Sequence, residues 1–172
     1  MKSTSRRASG TPRRRPPEAC PTAPKARGEL AEARFLAKAM ALGLVVSKPF
    51  GDSARYDFVV DAAGCLSRVQ VKSAWTRSRR GDYQFGASPA QLRGQRPRPY
   101  RRNEIDFLAA CIVPEDAWFI IPIAAISTRN HFMLTTRSSH PFARYREAWE
   151  LLECPGGATE NSPALQCGEG MP

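Results

Sequence analysis

Arg55-Tyr56-Asp57-Phe58-Val59-Val60-Asp61, then a turn over residues 62–65, then Leu66-Ser67-Arg68-Val69-Gln70-Val71-Lys72-Ser73: this stretch decides the fold. The first run is rich in aromatic and β-branched residues, and the last alternates apolar with polar side chains. Both patterns are those of half-buried strands. Gly64 sits where a turn is needed, so the two runs read as an antiparallel hairpin. With a four-residue loop over 62–65, Asp61 faces Leu66 and Asp57 faces Gln70. Lys72 lies two positions beyond Gln70 and shares its face. Phe58, Val60, Val69 and Val71 then line the other face. A slip of one residue would break both sets at once, so the register is well specified.

Working upstream, residues 28–43 read as a helix, rich in Ala, Leu, Glu and Lys and closed by Gly43. At about 100° per residue, Phe35, Leu36, Ala39, Met40 and Leu42 gather around Glu32, with Arg34 and Lys38 opposite. Glu32 is thus expected inside the apolar stripe. Either it profits from the helix N-terminus with water in reach, or it points into a polar site beneath the helix. The hairpin leaves a parallel choice. It is either an ordinary amphipathic pair of strands, or a divalent-metal site with Asp57, Gln70 and Lys72 on one face under that helix. A hard cation such as Mg²⁺ takes few carboxylates and keeps its waters. A lysine beside it orients or deprotonates water, or neutralises developing charge.

Gly28-x-x-x-Glu32 at a helix start, Asp57 within PFGDSARYDFVVD (residues 49–61), and Gln70-Val71-Lys72 within RVQVK together resemble the PD-(D/E)XK nuclease superfamily. The likeness is greatest to its group I intron-associated homing endonuclease branch and covers roughly residues 27–123. The resemblance implies a restriction-endonuclease-like αβββαβ core around a mixed sheet and a Mg²⁺-dependent DNA phosphodiesterase, with Mn²⁺ as a substitute. It implies Glu32 as the helix carboxylate and Asp57 as principal metal ligand. Gln70 takes the place of the second acid, the Val71 carbonyl completes the metal ligands, and Lys72 is the motif lysine. Two departures stand out: Tyr56 replaces the usual proline, and Gln70 replaces Asp or Glu. The intron-associated branch is similar in using Gln there. One carboxylate fewer lowers metal affinity, and a decayed site would leave a catalytically inactive DNA-binding protein on the same fold.

The charge supports a polyanionic partner. The chain has 172 residues, 26 Lys plus Arg against 16 Asp plus Glu, and a formal charge of +10. Between Arg68 and Arg102 there are ten basic residues and one acid, with Trp75, Tyr83, Phe85 and Tyr100 interspersed. Such a segment is a solvated loop or a phosphate-binding surface, and its place directly after the Lys72 strand favours the second. Arg77, Arg79, Arg80, Arg101 and Arg102 are the candidate DNA contacts, flanked by Lys48 and Arg55. Prolines in this segment leave room for a short helix near Pro89 at most.

Residues 1–27 read as a disordered basic arm, with Arg13-Arg14-Arg15 and Pro16-Pro17. It either touches DNA or only solubilises. Residues 154–172 read as a disordered tail, leaving 28–153 as the folded domain. Further strands are expected over 105–113, 118–123 and 131–134, and a closing helix over 145–152. Helix, meander, then more β and α describes an α/β sandwich around a mixed sheet.

Other classes fail. The apolar run near Phe119 to Ile126 contains Pro122 and falls far short of the about 20 residues a membrane span needs. Five scattered cysteines without a CxxC, and two histidines, exclude a structural zinc site and fit a reducing cytoplasm, in association with the nucleoid. No P-loop or GxGxxG is present, and nothing orients a base near a nucleophile. Cutting both strands of a duplex needs two sites, so a homodimer or higher oligomer is expected.

Overall fold

The computed structural model describes residues 21–51, 53–62, 64–89, 98–126 and 128–153. Most of the expected basic arm, the expected tail and most of the short helix expected near Pro89 lie outside these residues.

Helix α1 spans Pro24–Ala41 and so starts four residues before the expected Gly28. Pro24 lies within the stretch 1–27 expected to be disordered, but in the first helical turn its missing N–H costs nothing and its fixed φ favours the helix. Residues 24–27 therefore belong to the helix. The helix stops where Gly43 takes φ +82°. The Gly43 N–H donates to the Met40 carbonyl and the Leu44 N–H to that of Ala39, which satisfies two orphan carbonyls.

Ala31, Phe35 and Ala39 are the buried residues of α1. Centred on Phe35, Glu32 lies about 60° to one side and Met40 about 140° away. Glu32 thus stands at the border of the buried stripe and not in its middle. Met40 and Leu42 are exposed, contrary to expectation. Arg34, expected on the solvated face, is half-buried and lies 3.9 Å from Asp116.

Five strands follow in one mixed sheet: β1 (Val45–Ser47), β2 (Phe58–Ala62), β3 (Cys65–Ala74), β5 (Phe107–Ile112) and β6 (Ala117–Pro122), in that spatial order. Strands β4 (Tyr83–Gly86) and β7 (His131–Leu134) form a separate antiparallel pair. The hairpin register is the one the sequence predicts, with Asp61 opposite Leu66 and Phe58 opposite Val69. Its ladder continues to an Ala62–Cys65 pair, so the turn is tighter than four residues. Gly64 takes φ +89° there and donates its N–H to Asp61 Oδ1. Strands β3 and β5 run parallel, and the other neighbours in the sheet antiparallel.

Two apolar layers cover the sheet. On one face, Ala31, Phe35 and Ala39 of α1 pack on Phe58, Val60, Val69 and Val71, with Trp118 and Trp149 closing the aromatic cluster. On the other, Tyr83, Phe85, Phe132 and Leu134 of the small sheet pack on Leu108, Ala110, Ile112 and Phe119. Covered on both sides, β5 is buried along its whole length and reads as an unbroken apolar run.

One helix of the expected pattern differs, and another falls mostly outside the described residues. Between β3 and β5 the described residues hold β4 and no helix. The closing helix over 145–152 is instead two 3₁₀ turns, Ala143–Tyr145 and Trp149–Leu152. Glu147 interrupts them with φ +52°. Its N–H donates to the Trp118 carbonyl and its carboxylate accepts the Trp118 N–H, both at 2.8 Å. Tied to the edge of β6, this segment cannot close a helical turn. No described helix is long and apolar enough to cross a membrane.

Candidate active site

Strand β2 stops accompanying β3 one residue before Phe58. The Asp57 N–H donates to the Val69 carbonyl (2.9 Å), and β3 then continues to Ala74 against β5. The Val71 peptide therefore has no ladder partner on the β2 side. An unpaired buried N–H and C=O are costly, and side chains answer both. The Val71 N–H donates to Asp57 Oδ2 at 2.7 Å. The Val71 carbonyl accepts from Gln70 Nε2 at 3.2 Å, and the same Nε2 donates to Asp57 Oδ2 at 2.5 Å. Asp57 Oδ2 and the Val71 carbonyl thus converge on one atom at the frayed end of the ladder.

The parallel register places Gln70 beside Leu108 and Lys72 beside Ala110, on the face away from α1. The expectation that this polar face lies under the helix is corrected: α1 covers the opposite, apolar face. Glu32 reaches the same cleft from the border of its helix, past the end of β2. The cleft has a volume of about 520 Å³ and is lined by Glu32, Asp57, Gln70, Val71 and Lys72, together with Trp75. All four sequence-predicted catalytic residues and the Val71 carbonyl meet there.

The electrostatics follow from this burial. Desolvation lifts the Asp57 carboxyl from its ordinary 3.8 to about 6; the Val71 N–H opposes the rise, the Glu32 charge adds to it, and Lys72 and Lys48 oppose it. Desolvation likewise lowers the Lys72 ammonium below its ordinary value, against the pull of Asp57. Lys72 Nζ lies 5.9 Å from the centre of the Tyr100 ring, which walls this side of the site. Burial, then the nearby Asp57 charge, pushes the Tyr100 hydroxyl upward. Lys48 Nζ donates to Glu32 Oε2 at 2.7 Å, and that bond raises the Lys48 ammonium.

Among the described residues no three His, Cys, Asp or Glu side chains cluster as a metal site. The donor set at hand is one carboxylate, one amide and one peptide carbonyl. All three offer oxygen, which fits a hard divalent cation that keeps several waters and does not fit zinc.

A family model described as PD-(D/E)XK endonuclease matches residues 22–152. The chain belongs to the PD-(D/E)XK endonuclease family. It is also similar to the solved structure of a bacterial homing endonuclease, I-Ssp6803I, at 30% identity and a TM-score of 0.69. That match covers 81% of this chain and 99% of the other. A search of curated proteins finds no match. The mixed sheet with α1 on one face is thus the restriction-endonuclease-like fold of a PD-(D/E)XK nuclease.

The basic residues divide into two groups. Arg68 is held by Asp106 through paired 2.9 Å bonds and also bonds the Asn103 and Arg102 carbonyls. Arg98 is held in the same forked way by Glu104, whose carboxyl is pulled down to about 2 chiefly by that bond. These two arginines build the loop before β5. Arg55, Arg77, Arg79, Arg80, Arg101 and Arg102 are exposed. Arg77 Nε donates to the Gly81 carbonyl and stiffens its own loop.

Three features escaped sequence reading. Tyr100 lies among prolines and arginines, where nothing marks a buried wall. Asp106 is the carboxylate that accepts the Arg68 N–H and guanidinium, although it reads as a strand-start residue or a supporting acid. Arg27, counted with the arm, lies at the cleft, with its guanidinium 5.8 Å from the centre of the Trp75 ring.

Proposed function

We propose that this PD-(D/E)XK nuclease hydrolyses DNA phosphodiesters with Mg²⁺ held by Asp57, Gln70 and the Val71 carbonyl. The observation that carries the reading is the convergence of Asp57 Oδ2 and the Val71 carbonyl on Gln70 Nε2. Two acceptor oxygens aimed at one point are what a cation requires, and the amide N–H₂ fills that place in its stead. A half-turn of the Gln70 amide presents Oε1 to the same point. Bound there, the cation supplies positive charge to the phosphate as negative charge develops.

The chain's own residues do the rest. Asp57 is pre-bound to the Val71 N–H, which fixes its carboxylate without a side-chain search. Lys72 Nζ, desolvated against Tyr100, positions the attacking water, and its lowered proton affinity suits it to share that water's proton. Glu32, with Lys48 on its Oε2, supports the site from the helix side. Lys48, Arg55, Arg77, Arg79, Arg80, Arg101 and Arg102 contact phosphates of the duplex. Two copies or more act together so that both strands are cut. The working domain is residues 24–153, four residues longer at its start than the 28–153 expected from sequence because Pro24 opens α1, with the rest of the basic arm and the 154–172 tail outside it.

Plasmid cleavage tests this. Supercoiled DNA is incubated with the wild type, Asp57→Ala and Lys72→Ala, each with Mg²⁺, Mn²⁺ or EDTA. The expected result is metal-dependent nicking or linearisation by the wild type alone. Cleavage by Asp57→Ala, or by the wild type in EDTA, would overturn the site assignment. Shifted but uncut DNA in every lane, junction substrates included, would favour a binding-only protein.

A further inference from the structure

Phe50 is the most exposed large apolar residue among those described, with a relative exposure of 106%. A phenylalanine wholly in water is unfavourable by the full apolar area of its ring. Among the described residues it lies in neither apolar layer. Its place in the chain is defined by the elements on either side. Strand β1 ends at Ser47, and Gly51 turns with φ +77°, a conformation other residues adopt at a cost. The same segment frames a second opening beside the site, where Lys48, Pro49, Gly51 and Tyr56 join Glu32 and Asp57. The ring is exposed, and its chain neighbours Pro49 and Gly51 line that opening together with Lys48.

We propose that Phe50 is a DNA-contacting wedge, its ring stacking on a base or entering a base step next to the phosphate that is cut. This rests on the nuclease reading above and adds a specificity-determining residue to it. Charge selects the partner. An exposed aromatic next to Lys48 at a cleft edge complements a base stack flanked by phosphates, whereas a copy meeting this chain through the same segment would set Lys48 against Lys48. Apolar side chains inserted at a step unstack it and bend the duplex, most cheaply at pyrimidine–purine steps. Phe50 thereby gives the enzyme a preference at a step it need not read by hydrogen bonds.

The test uses the full chain and a duplex carrying the wild-type cut site, first mapped on plasmid DNA. 2-Aminopurine is placed in turn at the steps flanking the cut. The wild type in Ca²⁺ or Mg²⁺ should raise its fluorescence at one step. Phe50→Ala should abolish that rise and weaken binding about five- to 150-fold, the range for loss of one stacked base. Phe50→Trp should restore both. Because the ring is fully exposed, the melting temperature of Phe50→Ala should match the wild type, so misfolding cannot account for the loss. Unchanged binding and fluorescence in Phe50→Ala, with wild-type cleavage intact, would overturn the wedge and leave the nuclease reading standing. Dissociation of a wild-type oligomer by Phe50→Ala, with DNA fluorescence unchanged, would assign the ring to a second copy instead. Absence of cleavage by the wild type would remove the nuclease reading itself.

Discussion

Asp57→Asn should make the metal-free protein more stable while abolishing cleavage. Burial raises the Asp57 carboxyl from 3.8 to about 6. The folded state therefore holds this proton more tightly than the unfolded chain does. Stability from this group is complete below the ordinary carboxyl range and is lost as pH rises through about 6. At about 1.4 kcal/mol per unit, the ionised carboxylate costs the fold about 3 kcal/mol at neutral pH. Asn removes the charge, keeps the size, and retains an oxygen for the Val71 N–H. Urea denaturation in EDTA should thus show a gain approaching about 3 kcal/mol at pH 8, smaller at pH 6, and close to zero near about pH 3.5. In Mg²⁺ the order should narrow or reverse, because the cation stabilises only the wild type. An Asn variant no more stable than wild type at pH 8, or a gain equal at every pH, would refute the reasoning. Either result would mean that the carboxylate is well solvated or that its bond to Val71 outweighs its burial.

Other outcomes follow from neighbouring geometry. Gln70→Glu should bind Mg²⁺ more tightly by calorimetry yet be less stable than wild type in EDTA, since the new carboxylate would replace a 2.5 Å hydrogen bond with a like-charge contact to Asp57. Cleavage by the wild type should fall as pH drops below about 6, where protonated Asp57 no longer holds the cation, and raising Mg²⁺ should shift that limb to lower pH. Asp106→Ala should cost about 1–3 kcal/mol by urea denaturation, because it strands the Arg68 N–H and frees the guanidinium it anchors. Phe35→Ala should cost about 3–5 kcal/mol, since the fully buried ring lies 5.3–5.8 Å from those of Phe58, Trp118 and Trp149.

The hairpin was legible because its side chains alternate, and alternation fixes both register and face. Asp57, Gln70 and Lys72 could be brought together on that ground alone. The sequence did not say which face α1 covers, because an apolar face and a polar face each offer a plausible partner to a helix. Glu32 was misplaced by about 60°. The stripe was centred on the carboxylate and not on Phe35, and the exposed Met40 and Leu42 looked like core. Pro24 misled in the opposite sense, because a proline that ends one helix begins another. The closing helix failed at Glu147, whose backbone is bound to a strand distant in sequence. Tyr100 and the Asp106–Arg68 pair were invisible for the same reason: each owes its role to a contact that no local pattern encodes.

The parallel pairing of β3 with β5 has a consequence for the order of assembly. Every residue pair in it is 38 positions apart in the chain, whereas the hairpin pairs of β2 with β3 are at most 11 apart. Closing the longer loop costs more entropy before any contact repays it, so that pairing, like the still more distant β4–β7 pairing at 45 to 51 positions, weighs more on the folding rate than the hairpin does. Asp57, Gln70 and Lys72 all belong to the hairpin and come together on local closure. Tyr100 and Asp106 arrive only with β5. On this ordering the acidic and basic groups are expected to gather first and to be enclosed last. A slow step in refolding should be read from the environment of Tyr100, while the hairpin register is already set.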